Sequence, residues 1–129
     1  MTEQRKSLGM LGEEVACAHL RRRGYRILTR NYRVRQGEMD IVADDRGTLV
    51  FVEVKTRRGR GSGTALEAVT PRKQRQLSMV ALEYMGRHGC HGLPARFDVV
   101  GVEFGPDLAG SRPMLVEVVR DAFELCYGL

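Results

Sequence analysis

The most restrictive feature of the sequence is a pair of β-prone stretches, residues 38–43 and 48–55, joined by the turn-forming run Asp44-Asp45-Arg46-Gly47. A two-residue turn at Arg46-Gly47, or a symmetric four-residue loop around it, sets Asp40 opposite Glu53 and Glu38 opposite Lys55. In that register Met39, Ile41 and Ala43 share one face with Val50, Val52 and Val54, and the other face gathers three carboxylates and a lysine. A slip of one residue brings Val52 across from Asp40 and destroys the separation, because strand side chains alternate with period two. The chain is therefore expected to contain a hairpin with one apolar and one charged face.

Like charges directly opposite one another on adjacent strands, with Cβ atoms ~5 Å apart, are destabilising. Stability alone gives no reason for Asp40 opposite Glu53 in the most apolar stretch of the chain. A divalent cation between them turns the repulsion into attraction, and hard oxygen ligands with room for water suit Mg²⁺ or Mn²⁺. Lys55, two residues beyond Glu53 on the same face, is placed to orient or deprotonate a water, or to stabilise charge developing on a phosphate. This is a hydrolytic layout for phosphodiesters.

The remaining elements surround that hairpin. Ser7 can cap a first helix that runs to Arg23 and ends at Gly24. Along it Gly9, Glu13, Ala16, Cys17 and Leu20 fall on one stripe and Leu8, Leu11, Val15 and Ala18 on another, so Glu13 is a carboxylate among apolar positions. Residues 25–34 read as a strand carrying outward arginines. The Gly59 to Gly63 stretch reads as a flexible loop, without the Lys-Ser or Lys-Thr that completes a phosphate-binding loop. Thr70-Pro71 opens a second helix whose apolar face is Leu77, Val80, Ala81, Tyr84 and Met85 and which ends between Gly86 and Gly89. Two more strands, 97–104 and 114–119, precede a tail of undetermined form. The expected order is α-β-β-β-α-β-β.

The chain's 129 residues fit one domain, 1–129, and 43% hydrophobic with 29% charged residues excludes disordered, fibrous and low-complexity classes. The sequence has neither an apolar run long enough to span a bilayer nor a secretory leader, so a cytoplasmic address without membrane association is expected. Cys17, Cys90 and Cys126 are too few and too scattered for a disulfide framework. The His88, Cys90, His91 cluster lacks the second ligand pair of a structural zinc site and reads as a polar surface loop. The net charge of +5 is unevenly distributed: the window from Arg21 to Gln36 holds seven arginines and no acid, and two further basic blocks open at Lys55 and Arg72. Such clustering is the footprint of a protein that binds a polyanion.

Several motifs together resemble a known family. Gly37-Glu38-Met39-Asp40-Ile41 and Val50-Phe51-Val52-Glu53-Val54-Lys55 resemble the Asp…Glu-x-Lys core of the restriction-endonuclease-like superfamily. With Gly12-Glu13, Gly24-Tyr25, Asn31-Tyr32-Arg33, Val69-Thr70-Pro71 with Lys73, and Arg96-Phe97-Asp98-Val99-Val100, they are most similar to the YraN-like group of uncharacterised bacterial proteins, itself similar to archaeal Holliday junction resolvases. Met39 stands where the superfamily often has Pro. The resemblance implies an α/β restriction-endonuclease-like fold, a central mixed five-stranded sheet flanked by helices. It implies catalytic positions at Glu13, Glu38, Asp40, Glu53 and Lys55, with Mg²⁺ or Mn²⁺ held by Asp40, Glu53 and Glu13. Phosphate contacts are expected from Arg22, Arg26, Arg30, Arg33, Arg35, Arg57, Arg58, Arg60 and Lys73 and to be nearly indifferent to sequence. The implied activity is metal-dependent endonucleolytic hydrolysis of structured DNA, resolvase-like. The alternative is a nucleic-acid-binding module that retains the site without turnover. Preference for junctions would imply a homodimer.

Overall fold

The computed structural model describes residues 2–59, 63–105 and 113–126, with side chains from residue 8 onward. Arg60 and residues 127–129 lie outside it. Two helices and five strands follow the expected order: α1 (Thr2–Arg22), β1 (Arg26–Val34), β2 (Gly37–Asp45), β3 (Thr48–Arg58), α2 (Pro71–His88), β4 (Ala95–Phe104) and β5 (Pro113–Phe123). The strands form one mixed sheet in the spatial order β1-β2-β3-β4-β5, with β3 and β4 parallel and the other pairs antiparallel. The parallel pair requires a crossover, and α2 supplies it. No helix among the described residues is long and apolar enough to cross a membrane.

Local chemistry sets the element ends. α1 begins at Thr2, so Ser7 lies inside the helix and does not cap it; the Glu-Gln-Arg-Lys run before it consists of good helix formers. Its end is set by Gly24 at φ +93°, where Tyr25 N–H donates to the Leu20 carbonyl and Gly24 N–H to that of Arg21. Thr70 caps α2 by accepting from Lys73 N–H, and Gly89, also left-handed, closes it. His88 stacks on Tyr84 and Cys90 lies against Met85, so the His88/Cys90 end of that cluster belongs to the helix terminus. β5 runs on to Phe123, beyond the strand end expected at residue 119.

The helices cover opposite faces of the sheet. α1 residues Ala16, Cys17 and Leu20 pack with Ile41, Ala43, Val50, Val52, Val100, Val102 and Phe104. α2 residues Leu77, Val80, Ala81, Tyr84 and Met85 pack with Met39, Val42, Leu49, Phe51, Phe97 and Val99. β3 is thus buried on both sides, which is why Leu49-Val50-Phe51-Val52 is continuously apolar; each such side chain contributes ~1.5–3 kcal/mol. The hairpin register is the expected one, Ile41 opposite Val52 and Asp45 opposite Thr48 across a turn at Arg46-Gly47.

Two expectations about the hairpin faces are corrected. The face that carries Glu53 also holds Val42, Leu49 and Phe51, so it is not a charged face but a second core with acids at its end. Met39 belongs to that core and not with Ile41 and Ala43. Alternation breaks there because Asn31 in β1 takes a left-handed φ of 55°. Arg30, paired with Ile41, reaches toward α1, while Tyr32, paired with Met39, packs on Tyr84 of α2.

At the turn end of the hairpin a buried polar network ties strands together. Arg96 on β4 donates to Asp45 at 2.7 Å and to Asp98 at 3.0 Å. Tyr25 O–H donates to Asp98 at 2.8 Å, and the Asp121 N–H does so at 3.0 Å.

Candidate functional site

The opposite end of the hairpin is a fork. The β2–β3 ladder stops at Ile41 and Val52, while β2 stays paired with β1 as far as Gly37 and β3 with β4 as far as Arg58. Asp40 sits in the crotch, and its Oδ2 accepts the Val54 N–H at 2.8 Å in place of the missing ladder bond. Glu53, 5% exposed, is close enough to share a side-chain hydrogen bond with Asp40. Burial first, and the charge of Glu53 second, push the Asp40 carboxyl up to about 8; the Val54 amide opposes them. Burial beside a second carboxyl thus favours the protonated form of Asp40.

Three further groups converge on this pair. Lys55 Nζ lies 3.3 Å from Glu53 Oε2. Lys73 Nζ, from the first turn of α2, lies 3.8 Å from the same oxygen. Glu13 approaches from α1, its carboxyl 3.8 Å from the Arg30 guanidinium and hydrogen-bonded to the Asn31 side chain. Burial raises its pKa and Arg30 opposes the shift, while the charges of Glu38 and Glu53 reinforce it. Gly12 makes that approach possible: a Cβ there would meet the Thr56 side chain, with Cγ2 at 2.8 Å, so only glycine lets α1 lie this close to β3.

Asp40, Glu53 and Lys55 are thus brought together; Glu13 acts on Asp40 only through its charge, and Glu38 acts on Glu13 in the same way. Glu38 lies in the outer arm of the fork, where Arg33 grips one of its oxygens at 2.6 and 2.9 Å. Sequence reasoning assigned Lys73 to phosphate binding and did not place it beside Glu53. Asn31 was missed as a site residue; an asparagine in mid-strand, disfavoured there but tolerant of left-handed geometry, was the available signal.

The expected basic stripe is partly compensated. Arg26 lies 3.8 Å from Asp44, Arg30 is held by Glu13 and Arg33 by Glu38, so acids missing from the arginine-rich window arrive from neighbouring elements. Arg57 pairs with Glu103 at 3.9 Å, and Arg58 lies over the Phe104 ring and donates to the Gly105 carbonyl. Arg22 and Arg35 are exposed.

The donor set suits a hard cation. Buried Glu53 and half-buried Asp40 offer oxygen ligands in contact whose repulsion a divalent ion would relieve. Among the described residues no group of three or more His, Cys, Asp or Glu is drawn close enough to hold an ion on its own. Mg²⁺ commonly takes one or two carboxylates and fills its remaining positions with water and phosphate oxygens, which fits Asp40 and Glu53 with Glu13 at a further remove.

Comparison with known proteins places these residues in a shared framework. The profile of the uncharacterised protein family UPF0102 matches residues 12–102, a span from Gly12 through the fork to β4. A UPF0102 protein of Geobacter sulfurreducens is 51% identical over 122 residues, 95% of this chain and 92% of its own. One of Symbiobacterium thermophilum is 55% identical over 102 residues, 79% and 86% of the two chains, and one of Rhodococcus opacus 46% identical over 117 residues, 91% and 96%. Matched over most of its length by the family and its relatives, the chain belongs to the uncharacterised protein family UPF0102, the YraN-like group that its motifs resemble.

Proposed function

We propose that this protein is a divalent-cation-dependent endonuclease that hydrolyses phosphodiesters in structured DNA, in the manner its likeness to resolvases implies. The observation that carries the reading is the buried Asp40–Glu53 contact with two ammonium groups on Glu53 at the mouth of the fork. Structural acids are normally matched by cations or removed, and Asp40 is instead buried against a second carboxyl that raises its pKa.

Mg²⁺ or Mn²⁺ bound at these carboxyls would supply Lewis-acid polarisation of a phosphoryl oxygen and of a water. The chain's own groups do the rest. Asp40, oriented by the Val54 amide, and Glu53 are the residues that would hold the cation. Glu53 aligns Lys55, whose ammonium orients the attacking water and stabilises charge on the phosphoryl oxygens. Lys73 adds a second positive charge from the helix side. Arg33 and Arg35, at the fork end of β1, carry the flanking phosphates.

The absence of a three-acid cluster among the described residues favours one alternative, a binding module without turnover. One experiment separates the two: purified protein with linear, branched and single-stranded DNA and RNA, in Mg²⁺ or Mn²⁺, beside Lys55→Ala. The nuclease reading expects cleavage of branched DNA that falls at least ~100-fold in the variant. Cleavage equal in both proteins would defeat it. Binding without cleavage under either cation would establish the module instead.

A further inference from the structure

A cavity of about 440 Å³ opens beside Lys55, between the second half of β3, β4, β5 and the segment that precedes α2. That volume lies in the range of small-molecule sites, roughly 300–1,000 Å³. Its floor is bare sheet: a Cβ at Gly101 would stand 2.8 Å from the Ala65 Cβ, so the covering segment rests where β4 has no side chain. Its wall is held from within, since Arg57 donates to the Gly63 carbonyl at 2.9 Å and Thr64 N–H to Glu67 at 2.8 Å.

The charges of this cavity do not suit a phosphate. Lys55 and Arg57 face Glu67, Glu103 and Glu117, an acidic balance beside a chain that is basic overall. DNA backbone is drawn to cations and would avoid three carboxylates. What fits is a neutral group with an apolar body and a polar edge. Glu103 is 8% exposed, too buried to be a solvated surface acid, and lies 3.9 Å from Arg57. The two oxygens of one carboxylate can accept both adjacent donors of guanine, N1–H and N2–H, while a guanidinium beside it meets O6; adenine and cytosine offer the carboxylate only one donor group on that edge. Thymine presents carbonyls on both sides of its single N–H. That guanine edge is free only when the base is unpaired, and enzymes that read unpaired bases do so by hydrogen bonds to it.

We propose that this cavity receives one unpaired guanine next to the scissile phosphate, read by Glu103 and Arg57. The proposal rests on the nuclease reading and narrows its substrate to DNA with an unpaired nucleotide beside the cut. Duplex contacts stay indifferent to sequence, and one flanking position acquires a preference.

The test uses hairpin DNAs of one stem sequence that carry an unpaired guanine, an unpaired thymine or an abasic site, with binding followed by fluorescence anisotropy in the absence of divalent cation. The wild type is expected to bind the guanine hairpin roughly tenfold tighter than the other two. Glu103→Gln, and Ala68→Leu as an independent filling of the cavity from its exposed wall, should bring that ratio close to one and leave affinity for the fully paired stem unchanged. Equal wild-type affinity for the three hairpins overturns the proposal, as does a guanine preference that survives in both variants. Cleavage of the same DNAs in Mn²⁺ is scored separately. Cutting without guanine preference would remove the pocket and keep the nuclease, whereas preference without cutting would keep the pocket and remove the nuclease.

Discussion

The two ends of the β2–β3 hairpin both bury carboxylates and treat them in opposite ways. At the turn, Asp45 and Asp98 share the Arg96 guanidinium, and Tyr25, Arg46 and Arg120 add further donors. The Arg96 hydrogen bond holds the Asp45 carboxyl below its ordinary range. At the fork, Asp40 has no guanidinium, and burial beside Glu53 pushes it up to about 8. The same strand pair therefore shows how this chain neutralises buried acids where only stability is at stake. Asp40 lacks that treatment, while the nearby β1 arginines Arg30 and Arg33 are taken by Glu13 and Glu38. At the fork the lysines pair with Glu53 and leave Asp40 to burial and the Val54 amide, which is the asymmetry the proposed cation site rests on.

The largest effect that would test this contrast is on stability. Arg96→Met strands fully buried Asp98 without its cation and leaves Asp45 only the exposed Arg46 and Arg120; it is expected to cost ~3–5 kcal/mol, read as a lower urea midpoint at unchanged slope. Glu53→Gln in the same assay should cost little or stabilise. Similar losses at both ends would erase the contrast. Next comes the response to cation: Mn²⁺ at a hundred times its dissociation constant should stabilise the wild type by ~2.7 kcal/mol and Asp40→Asn not at all. A wild type that gains nothing would remove the divalent site.

The pH response is smaller and has opposite signs at the two ends. Folded Asp40 keeps up to about 8 a proton that the unfolded chain releases near 4, so without cation stability should fall as pH rises through that window. Asp45 contributes fully above about 4, and its contribution should vanish as pH drops below that value, because the unfolded carboxylate is protonated first. Denaturation from pH 3 to 9 should show the upper slope flattened in Asp40→Asn and the lower one retained. Last, Arg33→Ala breaks an exposed pair with Glu38 and should change stability by less than ~1 kcal/mol. If Arg33 touches a phosphate, the salt slope of DNA binding should fall by ~0.9.

Much of this was legible in the sequence because it rests on period and turn chemistry. Arg46-Gly47 and the apolar set 41–43 with 50–52 suffice for the register, and Thr70-Pro71 with Gly89 for the limits of α2. The site acids could be named from the cost of placing Asp40 against Glu53. What was hidden depends on geometry that no window contains. Met39 changes sides because Asn31, on another strand, turns the backbone. Arg26 and Arg33 find acids on β2, and Arg30 finds one on α1. Lys73 reaches Glu53 only because the crossover helix returns over the fork. The start of α1 was misplaced because a capping signal at Ser7 competed with a strong run of helix formers before it.

The parallel pairing of β3 with β4 also dictates an order of assembly. β1, β2 and β3 are sequential and antiparallel, so their contacts close over short loops, whereas β4 docks only after α2 has formed the crossover. Glu13, Asp40, Glu53 and Lys55 all precede that crossover. As the chain is synthesised, β3 therefore has one edge satisfied and the other open along Leu49-Val50-Phe51-Val52 until β4 emerges to cover it. An open apolar edge of that kind invites pairing between molecules. The strand that carries the proposed chemistry is the one most exposed to misassembly, and β4, which contributes none of these four residues, acts as its built-in safeguard.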